Sequence, residues 1–328
     1  MSLKDTLVTT PPREESGSVS SDRFQYQRHW ALLKLLNYHL QEPDYVFIFD
    51  YHDDVLILDS DENPTKIKFY QIKTKGRNNW TLAALTKQEE GESSKEGESR
   101  KLPSILGKMY LNKVNFKDQV ESLNFVSNAR FNLKLDDATE KDTKDRVYIC
   151  ASEISAEEVS KVKNALKEEL KVEPDTVSES IIFFEVSDLP LQNHETQVKG
   201  ALVDFLQKLF PQRKFSIVPI YQSIIGEITR RNNHKLQQYT IEELTTKKCL
   251  SKKDFEKFII DIGIGNDQER NWQSVESRLN AEGCSYAQVM KIKSQWNLCE
   301  IHRLDITNDT FQKNRATVKV LLNLHLLK

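Results

Sequence analysis

The chain has 328 residues, a formal net charge of −2 and 29% charged side chains. That length suits one α/β domain with a smaller second region, and the near-neutral balance excludes a globally basic nucleic-acid binder, so any phosphate-binding surface must be local. No run of about 18 apolar residues marks a transmembrane helix and residues 1–18 lack a signal peptide's apolar core, so a cytoplasmic protein without membrane contact is expected.

Residues 1–20 are polar and rich in Pro and Ser, the composition of a flexible tail. Phe24-Gln25-Tyr26-Gln27 opens an amphipathic helix over 23–40, with Trp30, Ala31, Leu33, Leu35 and Leu36 on its apolar side. A buried strand, Tyr45–Phe49, runs into the acidic turn Asp50-Tyr51-His52-Asp53-Asp54. His52 reads as a partly exposed turn residue rather than a phosphate ligand. Two apolar strands follow, Asp54–Leu58 and Ile67–Thr74. The polar, Gly/Ser-interrupted stretch 86–101 reads as a solvated loop. Strand signals return at 123–127, 147–150 and 181–186. Between the last two, Ser155-Ala156-Glu157-Glu158 caps a helix with Val159, Val162, Leu166 and Leu170 on one side. Alternating strands and helices predict an α/β sheet domain over 21–194.

Residues 195–328 read as mainly helical. A helix over 195–210 ends at Pro211, and another over 219–232 carries the stripe Ile220, Ile224, Ile225 and Ile228. Arg230, Arg231 and His234 at its end would either grip phosphates or offset the helix dipole. Ser251 caps a further helix, and 269–281 and 285–297 also carry helical spacing. The last segment, 316–328, is apolar on more than one face and reads as a buried helix or an assembly surface. Cys150, Cys249, Cys284 and Cys299 are widely spaced, so free thiols are expected rather than a zinc site.

The residues that carry chemistry are Asp54, Gln71 and Lys73. Residues i and i+2 of a strand share a face, so Gln71 and Lys73 project together with Phe69. A carboxylate, an amide carbonyl and a lysine can hold Mg²⁺ (or Mn²⁺) and assist hydrolysis of a phosphodiester. Asp54 supplies a charged oxygen and Gln71 a neutral one. Lys73 orients the attacking water or stabilises charge in the transition state. Lys75 and Arg77, just past this strand, are candidate DNA phosphate contacts. By itself the spacing also fits an edge strand whose Lys73 reaches solvent and whose Gln71 bonds backbone.

With its surroundings, the pattern resembles the CD-NTase-associated dsDNA endonuclease family, a PD-(D/E)xK effector nuclease of anti-phage defence, with Gln at the acidic position. The resemblance rests on the Tyr26-Gln27 helix, the Asp53-Asp54-Val55 and Gln71-Ile72-Lys73-Thr74-Lys75 pair, Trp80-Thr81-Leu82 and Phe125-Val126-Ser127-Asn128-Ala129-Arg130-Phe131. It extends to Asp188-Leu189-Pro190 and Ile220-Tyr221-Gln222, running from about residue 22 to about 260. Asp50 and Asp53 stand where the family often has Glu-rich residues, and the sensor domain of some relatives has no counterpart. The resemblance implies a restriction-endonuclease-like fold, a mixed central sheet flanked by helices and followed by a mainly helical C-terminal region. It implies Asp54, Gln71 and Lys73 as the metal and catalytic set, supported by Gln27.

The expected activity is metal-dependent cutting of double-stranded DNA, controlled by homo-oligomer assembly or by a partner. The resemblance points to a HerA-like translocase, an SMC-type ATPase or another sensor subunit. The chain has no G-x-x-x-x-G-K-[ST] motif, so an ATPase would be a separate polypeptide. The competing reading is a module on a nuclease fold that binds DNA or a partner without cutting.

Overall fold

The computed structural model describes residues 2–10, 21–90, 101–136, 146–211, 215–301 and 312–318. The terminal apolar run Leu321–Leu327 and most of the stretch expected to be a solvated loop lie outside them. The chain divides into two compact units, Met1–Pro211 with Ile217–Glu256, and Gln212–Ser216 with Lys257–Lys328.

The first unit is built on a mixed seven-stranded sheet, as the sequence leads one to expect. In chain order its strands are β1 (Val46–Phe49), β2 (Val55–Leu58), β3 (Ile67–Ile72), β7 (Val120–Ser127), β9 (Tyr148–Cys150), β10 (Ile182–Val186) and β11 (Cys249–Ser251). Their spatial order is β11-β1-β2-β3-β7-β10-β9. β1, β2 and β3 form an antiparallel meander, and β3, β7 and β10 run parallel. Every residue of β1 and β2 is buried, which is why VFIF and VLIL are continuous apolar runs instead of alternating ones. Of the remaining strands, β4 (Trp80–Thr81) pairs with β8 (Phe131–Asn132). β5 (Glu89–Glu90) pairs with β6 (Lys101–Leu102), so the ends of the expected loop are stapled together.

Helices cover both faces because β3 alternates its contacts. Tyr70 meets Trp30 of α2 (Ser21–Gln41), with ring centroids 5.2 Å apart. Phe69 points the other way and packs 5.3 Å from Phe116, the last residue of α4 (Ile105–Phe116). Short α3 (Leu82–Thr86) and α5 (Ala156–Leu170), whose cap Ser155 accepts from the Glu158 N–H, share the α4 face. On the other face, α2 packs against α6 (His194–Leu209) and α7 (Ile217–Asn233). His29, His194 and Tyr221 join these three helices through ring-nitrogen hydrogen bonds. α6 and α7 therefore belong to the first unit, and no division between the units falls at 194/195.

Two further differences concern the ends of this unit. Leu3–Thr9 is not tail-like: it forms α1, capped by Ser2 and Asp5 in a capping box, with Leu3 and Leu7 buried in the main core. The short α8 (Ile241–Lys247) is capped by Thr240 and leads into β11, which pairs with β1.

The second unit has a small core of its own. α9 (Lys252–Ala281) is a single helix where the sequence suggests two segments, and α10 (Tyr286–Ile301) follows. Trp272, Leu279, Cys284, Val289 and Ile292 are buried together, and Trp296 stands 6.3 Å from Trp272. Gly283 ends α9 at φ +83, a left-handed conformation that suits glycine. Among the described residues no helix is long and apolar enough to cross a membrane.

Candidate active site

The turn between β1 and β2 places the first site residue. The Asp50 N–H donates to the Asp54 carbonyl (3.0 Å) and the Tyr51 N–H to the Asp53 carbonyl (3.3 Å), with Asp50 in the left-handed region at φ 45. Side chains anchor this turn from below. The Tyr51 hydroxyl donates to the Leu7 carbonyl of α1 at 2.9 Å. The Asp53 carboxylate, itself buried, accepts from the Asn112 amide of α4. His52 is buried too, with its ring 5.0 Å from Phe116 and 4.5 Å from Tyr51. The expectation of a partly exposed His52 is thus corrected: the turn folds inward, and apolar packing of the imidazole takes it away from solvent.

The register of β2 on β3 pairs Val55 with Tyr70, which sets Asp54 opposite Gln71. Directly opposed residues of an antiparallel pair share a face. The Gln71 amide donates to Asp54 Oδ2 at 2.7 Å, and the Ile72 N–H donates to the same oxygen at 2.6 Å. Burial pushes the Asp54 carboxyl up to about 7. The Ile72 N–H, the Lys73 cation and the Gln71 amide work against that shift, and the neighbouring Asp53 adds to it. Lys73 directly follows β3, half-buried, and its N–H donates to the Val126 carbonyl of β7 at 2.9 Å. Gln27 approaches from α2, and its amide donates to the Ile72 carbonyl at 3.1 Å. Its hydrogen bond thus fixes the backbone between Gln71 and Lys73 and does not touch Asp54.

Past the strand, Lys75 and Asn128 exchange two bonds of 2.9 Å, N–H to Oδ1 and Nδ2 to carbonyl. The Lys75 ammonium bonds the Asn79 carbonyl at 2.9 Å and lies 4.4 Å from the centre of the Trp80 ring. Trp80 in turn donates its indole N–H to Ser127 Oγ, 2.8 Å away. Trp80 and the Phe125–Phe131 segment, named from the sequence as family marks, thus staple the loop beside the lysine strand. Lys75 is tied into that staple, whereas Arg77 is exposed at the loop's turn. Arg230 and Arg231, at the end of α7, both bond Glu227, and Arg231 is buried, so this pair stabilises its own helix.

The site's polar groups therefore converge where β3, β7 and β10 end, at the start of β2. Among known proteins, residues 15–232 match the family model described as Cap4, dsDNA endonuclease domain. This chain belongs to that family. It is the one expected from the sequence, and the match covers six of the seven strands of the sheet (all but β11), α2 and the Asp54, Gln71 and Lys73 positions. The chain is also 23% identical over 333 residues to Lamassu protein LmuA of Bacillus cereus (strain VD014), covering 96% of this chain and 85% of that protein. No solved structure matches it.

Among the described residues, no group of three or more His, Cys, Asp or Glu is placed to hold a metal ion. The donor set that fits a hard divalent cation is narrower: the Asp54 carboxylate, whose charged form burial disfavours, and the Gln71 amide beside it. Gln71 presents its nitrogen to Asp54. Its carbonyl oxygen would become a ligand after the amide rotates, a change that also releases Asp54 Oδ2 from one of its two donors.

Sequence reasoning missed Asn112 and Lys248 as parts of this region, and named Asn128 only within a family motif, without its partner. Each acts through a partner distant in sequence, which no local spacing reveals.

Proposed function

We propose that the protein is a Mg²⁺- or Mn²⁺-dependent endonuclease that cuts double-stranded DNA as an effector of cytoplasmic anti-phage defence. The observation that carries this reading is the Asp54–Gln71 pair across β2 and β3, with Lys73 next in line, inside a Cap4-type nuclease domain. A bound divalent ion would polarise the phosphodiester and lower the pKa of water. In this reading Asp54 and Gln71 hold the ion, Lys73 supplies a fixed positive charge near the reacting phosphate, and Gln27 holds the strand end that presents both residues. Arg77 contacts DNA phosphate, and Lys75 shapes the loop that carries Arg77.

Control is proposed to come from assembly with further copies of the chain or with a separate ATPase or sensor subunit. The similarity to a Lamassu protein supports a place in a defence system. A second reading, a module that binds DNA without cutting, draws on one observation: both donors to Asp54 Oδ2 are protein N–H groups, so that oxygen is already engaged. The deciding experiment is degradation of supercoiled plasmid with Mg²⁺, Mn²⁺ or EDTA, by wild type and Asp54→Ala, with and without candidate ATPase partners. Metal-dependent cutting lost in Asp54→Ala supports the enzyme; metal-independent binding with no cutting under any condition supports the module. Light scattering, with and without those partners, tests the assembly.

A further inference from the structure

The turn that carries Asp54 is gripped from outside the meander. Lys248 closes α8 and precedes β11, beyond the last residue of the family match, and is only 4% exposed. Its ammonium donates to the carbonyl of Asp50 at 2.8 Å and to that of Asn232, at the end of α7, at 3.0 Å. The Asp50 carboxylate stands 3.8 Å from the same nitrogen. The Lys248 carbonyl also accepts from the Phe49 N–H at 3.3 Å. Asp50 opens the turn at φ 45, and its N–H bonds the Asp54 carbonyl at 3.0 Å. A continuous chain of bonds thus runs from α7 through Lys248 and Asp50 to the backbone of Asp54.

A buried ammonium is an expensive way to fill space, and an apolar side chain would pack there at lower cost. What the cation adds is two backbone carbonyls and a carboxylate drawn to one point. It also supplies positive charge beside a five-residue turn with three carboxylates: Asp50, Asp53 and Asp54.

We propose that Lys248 is a positioning residue for the endonuclease site: it locks the Asp50–Asp54 turn so that the Asp54 carboxylate stands opposite Gln71. The functional half of this proposal rests on the reading of Asp54 given above; the mechanical half does not.

The test uses the full chain as wild type, Lys248→Met and Asp54→Ala, with any partner that cutting requires. Three readouts are taken: hydrogen exchange of peptides spanning 50–54, Mn²⁺ binding by electron paramagnetic resonance, and kcat and KM for plasmid cleavage. For Lys248→Met, the expected result is faster exchange confined to that turn and to residues 232 and 248. Mn²⁺ binding weakens and kcat falls about tenfold or more, while KM for DNA stays within about twofold, as for a misplaced catalytic group. Unchanged exchange in the turn overturns the proposal. So does a loss of kcat accompanied by faster exchange across the whole unit, which marks a purely structural role. If Asp54→Ala cuts and binds Mn²⁺ like wild type, the site reading fails, and exchange alone still decides the clamp. Should Lys248→Met not fold, Lys248→Gln removes the charge and shortens the donor that reaches the Asp50 and Asn232 carbonyls. It should give the same pattern at smaller amplitude, and wild-type exchange and kcat there would overturn the clamp.

Discussion

Asp54 and Gln71 lie seventeen positions apart in the chain and face each other across β2 and β3, with the Gln71 amide 2.7 Å from Asp54 Oδ2. This contact follows from the register of two buried strands, so it survives substitutions that leave their apolar residues in place. The side chains proposed to act in cutting can therefore be removed one at a time with the sheet intact.

Lys73→Ala should leave the fold unchanged, because the backbone bond from Lys73 to Val126 does not involve the side chain. Plasmid cleavage should fall by ~10²-fold or more, the scale of losing one fixed electrostatic stabiliser. Circular dichroism with a cleavage time course checks both halves, and near-normal cutting by the folded variant would refute the assignment of Lys73.

Asp54→Asn should separate stability from activity. The Asp54 carboxyl titrates near 7 in the folded protein, raised from the ordinary value of 3.8. Between those values the folded state holds the proton more tightly, so the group's contribution to stability is full below the lower one. It declines as pH rises through the folded one. At pH 8 the charged, half-buried Asp54 is a net cost on the order of 1–4 kcal/mol, an upper range because solvent screens part of it. Asp54→Asn is therefore expected to raise Tm at pH 8 in metal-free buffer and to change it little at pH 4, while abolishing metal-dependent cutting. A lower Tm at pH 8 would show that the carboxylate is stabilising as a charge. In the wild type, protons compete with the cation for Asp54, so cation binding should weaken as pH falls and be restored by more metal.

Arg77→Ala and Lys75→Ala should differ in kind. Arg77 is exposed at the loop's turn, whereas Lys75 bonds Asn79 and covers the Trp80 ring. Arg77→Ala should weaken DNA binding, lessen its salt dependence and leave Tm unchanged, as for a lost phosphate contact. Lys75→Ala should lower stability by about 1 kcal/mol through the lost hydrogen bond and ring contact. Binding titrations at several salt concentrations, paired with thermal melts, separate the two. Equal loss of salt slope in both variants would return Lys75 to the DNA surface.

Much of this was legible in the chain, for identifiable reasons. β1, β2 and β3 are dense apolar runs bounded by turn residues, so their existence could be read directly and Asp54 and Gln71 were expected to converge, whereas their register is set by the fold. The burial of His52 was not legible, because it depends on Phe116 of α4, more than sixty residues away. The hold on Lys75 was not legible either, because its ammonium meets the Asn79 carbonyl and the Trp80 ring only through the fold of the loop, which no spacing shows. The three-residue β11 is too short to show a period, and it is defined by pairing with β1. Which partner a helix after residue 195 packs on was not legible either, because helical spacing does not show it; His194 and Tyr221 tie α6 and α7 to α2.

Helix α1 gives the sharpest case, since a stretch expected to be a free tail is part of the core. Ser2 and Asp5 form a reciprocal cap, and Leu3 and Leu7, one turn apart, are each 1% exposed. The Leu7 carbonyl receives the Tyr51 hydroxyl, so α1 also supports the turn that carries Asp54. Leu7→Ala should destabilise the protein by about 2–4 kcal/mol, the range for truncating a buried leucine. Ser2→Ala should cost about 1 kcal/mol by loss of the cap. Because α1 sits under the turn rather than in the site, Leu7→Ala should lower Tm more than it lowers kcat measured well below Tm. Deleting residues 1–10 removes both the packing and the Tyr51 acceptor, and is expected to reduce cutting as well as stability. Denaturant melts and cleavage rates on the three variants test the ordering. A truncated protein as stable as the full chain would restore the view of this segment as a dispensable tail.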